Sequence, residues 1–294
     1  MSKESTEFRI ACKMHDAIRD RGLETPEDVI RYDDIVYDTK AKEQVLDVYR
    51  PKKEEGKILP VIVSVHGGGW VYGDKELYQF YCMSLAQQGF AVVNFTYRLA
   101  PEYKFPASTE DTNSVFAWVL ANDKTYGFDR DRIYALGDSA GANMLGVYAN
   151  ILTNPSFAEK FPFETPKGLK LRAIALNCGK YDMEQRPEEE PKLRAFLFED
   201  YLPENATEED VHMLNVAQHM TDDFPPAYVM TCTGDYLKKQ ASILVKALED
   251  HEIPFLYRYY ANKKNPLFHV FHLNMRSEEA ARCNRDECEF FNKY

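Results

Sequence analysis

The chain of 294 residues predicts one α/β domain: a mostly parallel central sheet flanked by helices. Three observations carry this. Apolar runs of strand length recur along the chain, helical stretches separate them, and glycines follow some of the runs. The runs are Leu59–Val65 (LPVIVSV), Phe90–Phe95 (FAVVNF), Ile133–Leu136 (IYAL), Ala173–Leu176 (AIAL) and Ala227–Cys232 (AYVMTC). Their apolarity is continuous rather than alternating, as in strands covered on both faces of a parallel sheet.

The remaining elements follow in order. The first ~30 residues are charged and helical in pattern. Val36–Tyr37 and Val45–Tyr49 alternate apolar and polar and predict antiparallel edge strands, joined near Asp38–Lys42. Asp74 predicts the N-cap of a helix that runs to about Gln88 and stops at Gly89. Thr109–Ala121 carries Val115, Trp118, Val119 and Leu120 at near-helical spacing. Ala140–Leu152 and Leu237–Glu249 predict two more helices, and Phe255–Tyr260 a final strand. Asp182–Asp223 breaks the rhythm, being rich in charge and proline and poor in strand signals. It lies between two core strands and so reads as an insertion within one domain.

Composition excludes several classes. With 45% hydrophobic and 28% charged residues, 14 Gly and 15 Pro, the chain is neither collagen-like nor wholly disordered. The formal charge is 36 − 47 = −11, without an obvious basic stripe, which argues against a nucleic-acid partner. No apolar run reaches the ~18–20 residues of a membrane span, and the N-terminus, MSKESTEFRIACKMHD, has no apolar core of signal-peptide length. The six cysteines form no CxxC pair and no zinc pattern. Reduced, mostly buried thiols in a cytoplasmic protein are expected, with no metal.

The chemistry is concentrated at strand ends. Gly137-Asp138-Ser139-Ala140-Gly141 follows the IYAL run and precedes a helix. G-x-S-x-G in that context is a nucleophile elbow: a sharp turn lifts the serine hydroxyl above the sheet, at the positive end of the following helix. His66-Gly67-Gly68-Gly69-Trp70 directly follows the LPVIVSV run. Consecutive glycines let backbone amides approach a ligand closely, which suits stabilisation of a tetrahedral oxyanion. A phosphate loop is the other use of such glycines, but no GK[ST] or G-x-G-x-x-G follows. A serine hydroxyl needs a base, and the elbow's chain order is Ser, acid, His. Of the histidines, His251, His269 and His272 follow the last core run; His251 sits at a helix end, and His269 and His272 lie in a loop after the final strand. Asp235 follows the AYVMTC run and is the leading acid; Asp182 is its rival. Asp138 is adjacent to the serine and points the wrong way for a relay.

These motifs together resemble the hormone-sensitive-lipase-like branch of α/β-hydrolase carboxylesterases. The resemblance rests on HGGGW at 66–70, TYRLAPEYKFPASTED at 96–111, FDRDRIYALGDSAGAN at 128–143, TGDYL at 233–237 and HVF at 269–271, and runs from about Val45 to the C-terminus. It implies an α/β-hydrolase fold and roles for the matching positions: Ser139 as nucleophile, Asp235 as acid, His269 as base, and the amides of Gly68, Gly69 and Ala140 as oxyanion donors. His66 would brace the glycine loop, Asp138 would support the elbow, and Arg98, Pro101 and Glu102 would buttress the loop from the next strand end. His272 lacks the family's pattern and is expected to be a neighbour. Where the family often has D-P-L, this chain has Asp235-Tyr236-Leu237. The expected substrate is a small-molecule ester with a short acyl chain, hydrolysed without cofactor. An acetyl-esterase acting on sugars, a serine exopeptidase or thioesterase, and a non-catalytic binding module on the same scaffold are the alternatives, and a homodimer is left open. The resemblance also implies a helical cap over the site from approximately residues 1–32 and 182–223, in which Phe196, Phe198, Tyr201, Met213 and Leu214 are candidates for an apolar lid.

Overall fold

The computed structural model of the chain describes residues 1–183 and 196–294, without the side chains of residues 196–198. Part of the predicted 182–223 insertion, and the Phe196 and Phe198 side chains, therefore lie outside the described residues. An eight-stranded sheet forms the centre, in the order β1-β2-β4-β3-β5-β6-β7-β8. The strands are β1 (Val29–Val36), β2 (Val45–Pro51), β3 (Leu59–Val65), β4 (Ala91–Phe95), β5 (Phe128–Asp138), β6 (Leu171–Asn177), β7 (Ala227–Cys232) and β8 (Phe255–Tyr260). β1 pairs with β2, and β2 with β4, antiparallel. Every other neighbouring pair is parallel. The mostly parallel sheet expected from the strand–helix rhythm is present, in the architecture that the family resemblance implies.

Helices cover both faces, which explains the continuous apolar runs. They are α1 (Lys3–Arg19), α2 (Lys75–Gln87), α3 (Ala107–Ala121), α4 (Ala140–Thr153), α5 (Lys238–Asp250) and α6 (Glu278–Phe291). Along β3, Val61, Val63 and Val65 enter one core with α3 and α4, whereas Ile62 enters a second core with α2 and α6. The Asp74 side chain caps α2 by accepting from the Leu77 amide at 3.1 Å. Gly89, just past that helix, takes the left-handed φ of 104°.

Two boundaries depart from expectation. Residues 29–32 belong to β1 and not to a helical cap piece; β1 begins well before Val36. Its register shifts between Tyr32 and Ile35, where Asp34 takes φ 57°, and this irregularity breaks the alternation that would mark a strand. β5 begins at Phe128 rather than Ile133, because its first half (Asp129–Arg132) is solvent-facing and polar.

The glycine loop is held from outside by two separate pieces of chain. From α1, Arg9 donates to the Val71 carbonyl and, in the segment after β4, to the Ala100 carbonyl at 2.7 Å, and Asp16 accepts from the Tyr72 hydroxyl at 2.9 Å. From the helical turn at Phe196–Tyr201, Tyr201 stacks on Trp70 with ring centroids 4.8 Å apart. The two pieces are themselves tied together. Buried Asp200 accepts from the Ser2 amide at 2.9 Å and from the Ser2 hydroxyl at 2.6 Å, and also bonds the Ser5 hydroxyl. No helix among the described residues is long and apolar enough to cross a membrane.

Candidate active site

The sheet's order creates the place for a site. From β3 the chain goes to β4 on one side, then crosses to β5 on the other. Open α/β sheets bind ligands at the strand C-termini beside such a switch. The HGGGW loop leaves β3 there, and Ser139 leaves β5.

Ser139 sits at the tip of the β5–α4 turn with φ 53° and ψ −118°, a strained conformation for a residue with a side chain. Its amide donates to the Asn177 carbonyl at 2.9 Å, which pins the turn to β6. Close approach dictates the flanking glycines. A Cβ at Gly137 would lie 2.6 Å from the Gly141 carbonyl oxygen, and one at Gly141 would strike the Val65 carbonyl oxygen. Ala140 opens α4, so its amide is among the helix's orphan donors.

Asp235 and His269 converge on this serine. His269 Nε2 lies 2.9 Å from Ser139 Oγ, and His269 Nδ1 lies 2.7 Å from Asp235 Oδ1. The loop carrying His269 is anchored by a bridge between Gly234 and Phe268. Asp235 is buried and also accepts from the Thr231 hydroxyl at 2.6 Å and the Leu237 amide at 2.9 Å. Burial opposes its charge, but the hydrogen bonds from His269, Thr231 and Leu237 outweigh it and hold the pKa below the usual Asp value. An ionised Asp235 keeps the proton on Nδ1 and leaves Nε2 as acceptor for the serine hydroxyl. Asp182, the rival acid, is not in this line. His272, three residues beyond His269, is buried against Tyr81 with ring centroids 5.0 Å apart. Neither of its ring nitrogens has a hydrogen-bond partner among the described residues. Burial, with repulsion from His269 and Arg19, lowers its pKa to about 3.

Above the serine, Gly68 and Gly69 both take positive φ, 117° and 60°. The Gly68 carbonyl accepts from the amides of Val71 and Tyr72, and a Cβ at Gly68 would strike the Tyr72 carbonyl oxygen. Among the described residues no acceptor engages the amides of Gly68 and Gly69. His66 lies beneath the loop, stacked on Tyr97 at 4.0 Å, with Nδ1–H donating to the Gly67 carbonyl at 2.7 Å. Burial lowers its pKa to about 4, so it is neutral near pH 7, with its one ring proton on Nδ1. Asp138 reaches the same loop through Tyr78: the tyrosine hydroxyl donates to Asp138 Oδ2 and accepts from the Gly67 amide, each at 2.8 Å. Burial pushes the Asp138 carboxyl up to about 6. Arg98 engages Asp111 at 2.9 Å and Glu110 at 2.6 Å, tying the end of β4 to α3. The segment meets the loop where the Ala100 amide donates to the Trp70 carbonyl at 3.0 Å. Glu102 instead pairs with Arg9 of α1 at 3.1 Å. Tyr236 lines no buried wall; it is 61% exposed and lies 4.3 Å from the His269 ring.

Sequence reading missed the support beneath the serine. Fully buried Glu287 of α6 accepts from Asn177 Nδ2 at 2.8 Å and from the Tyr81 hydroxyl at 2.6 Å. Asn177 is the residue whose carbonyl holds the Ser139 amide. Burial pushes the Glu287 carboxyl up to about 7. Below about pH 4.5 this group is protonated in both the folded and the unfolded chain. Between about 4.5 and 7 the unfolded chain ionises first, so stability falls as pH rises through that window. Glu287→Gln is expected to remove this loss, on the order of 3 kcal/mol in full. Its melting temperature should gain on the parent's as pH rises from 4.5 to 7, and parallel melting curves would contradict the assignment.

Comparison with known proteins places the chain. The BD-FAE family model matches residues 46–248, most of the chain. The chain belongs to the BD-FAE family. It is 29% identical over 232 residues to versiconal hemiacetal acetate esterase of Dothistroma septosporum, covering 72% of this chain and 67% of that one. It is 35% identical over 137 residues to arylacetamide deacetylase of Bos taurus, covering 45% of this chain and 34% of that one, so the match spans about a third of that relative. Among solved structures, esterase B from Lactobacillus rhamnosis superposes with a TM-score of 0.90 at 25% identity, covering 99% of this chain and 93% of that one. This BD-FAE family member is thus an α/β-hydrolase of the hormone-sensitive-lipase-like carboxylesterase group, as its motifs suggested.

Proposed function

We propose that this BD-FAE family member hydrolyses small, short-acyl carboxylic esters through Ser139, His269 and Asp235. One observation carries the reading: the line from Ser139 Oγ to His269 Nε2 at 2.9 Å and from Nδ1 to Asp235 Oδ1 at 2.7 Å, beside the Gly68 and Gly69 amides, which no acceptor among the described residues engages. Ser139 Oγ attacks the ester carbonyl as its proton passes to His269 Nε2. The amides of Gly68, Gly69 and Ala140 hold the oxyanion, each contributing about 3–4 kcal/mol. The tetrahedral adduct collapses, the C–O bond breaks, and the alcohol leaves with the proton from Nε2. Water then attacks the acyl-serine with His269 as base, and the carboxylic acid is released. Asp235 stabilises the imidazolium in both halves of the cycle. His66 and Asp138, acting through Gly67, keep the loop amides aimed.

Residues 1–20 and 196–223 act as the cap, lying against the loop through Tyr72, Trp70 and Ala100. A short acyl group is favoured because the two curated relatives described above are named an acetate esterase and a deacetylase. Turnover of a p-nitrophenyl ester series from acetate to laurate, together with acetylated oligosaccharides, tests this. The expected result is a kcat/KM that peaks at acetate to butyrate. A maximum at laurate would overturn the chain-length claim, and preference for the oligosaccharides would move the substrate to acetylated sugars.

A further inference from the structure

The relay leaves one neighbouring group unused. Cys178 follows β6 with φ 48°, and its side chain is buried. Its thiol lies 3.7 Å from the Met230 thioether and also neighbours the Cys232 thiol. Cys178, Asp235 and His269 each place one ligand atom within 4.8 Å of the other two. They come from the C-terminal ends of β6 and β7 and from the loop after β8, so adjacent parallel strands deliver them to one point. A thiolate, a carboxylate and an imidazole are donors that zinc accepts in tetrahedral sites, with water as the fourth ligand. The thiolate favours soft cations over magnesium or calcium.

We propose that a soft divalent cation, zinc or cadmium, binds between Cys178, Asp235 and His269 and switches hydrolysis off. The cation displaces the Cys178 thiol proton to solvent, and the His269 ring changes tautomer: Nδ1 gives up its proton to the solvent and Nε2 takes one from it, so the imidazole stays neutral. The bound cation replaces the hydrogen bond between Asp235 and Nδ1. The imidazole then carries a dication on Nδ1 and a proton on Nε2, which leaves no lone pair there to take the serine proton. The switching rests on His269 being the base; cation binding by the three side chains does not.

Titrating the full chain with cadmium chloride, while following the ultraviolet cadmium–thiolate charge-transfer band and ester turnover in parallel, tests both parts. The expected result is a band that saturates at one cation per chain, turnover that falls with it, and recovery on adding a chelator. Cys178→Ala is expected to keep turnover, lose the band and weaken inhibition by at least about 10–100-fold. Cys12→Ala, which removes the half-exposed thiol of α1, should change neither. His269→Ala, which keeps the thiol, should weaken the band's affinity by a similar factor, and this measurement stands if Cys178→Ala fails to fold. A band that persists in Cys178→Ala, or an unchanged affinity in His269→Ala, would overturn the site. Saturation of the band without loss of turnover would overturn the switch. If His269→Ala instead kept full ester turnover, the relay would be wrong while the cation site remained testable by its band.

Discussion

Ser139→Ala is expected to reduce turnover of p-nitrophenyl acetate by about 10⁶-fold, leaving a residue of about 10³–10⁴ over water from the loop amides and binding. The reason is geometric. The hydroxyl lies 2.9 Å from His269 Nε2, and the elbow presents it at the C-terminal end of β5, beside the loop that leaves β3. Folding should survive. Alanine meets the same strain at φ 53° that serine does, and the anchoring bond from the residue 139 amide to Asn177 is a backbone bond that substitution leaves in place. What is lost is one hydrogen bond, about 1 kcal/mol, or a few degrees of melting temperature. Kinetics and a thermal melt on the same preparation check both halves. Retained turnover would move the nucleophile elsewhere.

His269→Ala should cost a similar factor, because a relay missing any member loses nearly all of its effect. His272→Ala supplies the contrast. His272 is enclosed between Tyr81 and Phe271, and with its pKa lowered to about 3 it stays neutral throughout the range in which esters are assayed. It can neither take the serine proton nor appear in the pH–rate profile. Its truncation removes a buried ring, so the expected loss is stability, about 2–4 kcal/mol, with turnover per folded molecule largely kept. Stopped-flow turnover combined with urea melts separates the two variants. The opposite ranking of activities would make His272 the base.

What could be read from the sequence was local. The elbow glycines, the HGGG loop and Asp235 each follow from a short stretch of chain meeting a strand terminus, and His269 from the HVF pattern in the loop after the last strand. The support beneath them was not legible, because it depends on partners far away in sequence. Glu287 reaches Asn177 across 110 positions, and nothing in the ECEF stretch of α6 marks it as more than a buried helix residue. Cys178 likewise gave no sign, since the side chains around it come from two other strands. The start of β1 was obscured by the irregularity at Asp34, and the start of β5 by its polar, solvent-facing first half.

A phosphonate ester is the most direct probe of the relay, since it is attacked as an ester is but leaves its phosphorus on the nucleophile. After incubation with p-nitrophenyl phosphonate, mass spectrometry of the intact chain and of its peptides should find a single adduct, on Ser139, with label and loss of turnover advancing together and neither occurring in His269→Ala. Stoichiometric labelling of a different residue, or complete loss of turnover with Ser139 unmodified, would contradict the account.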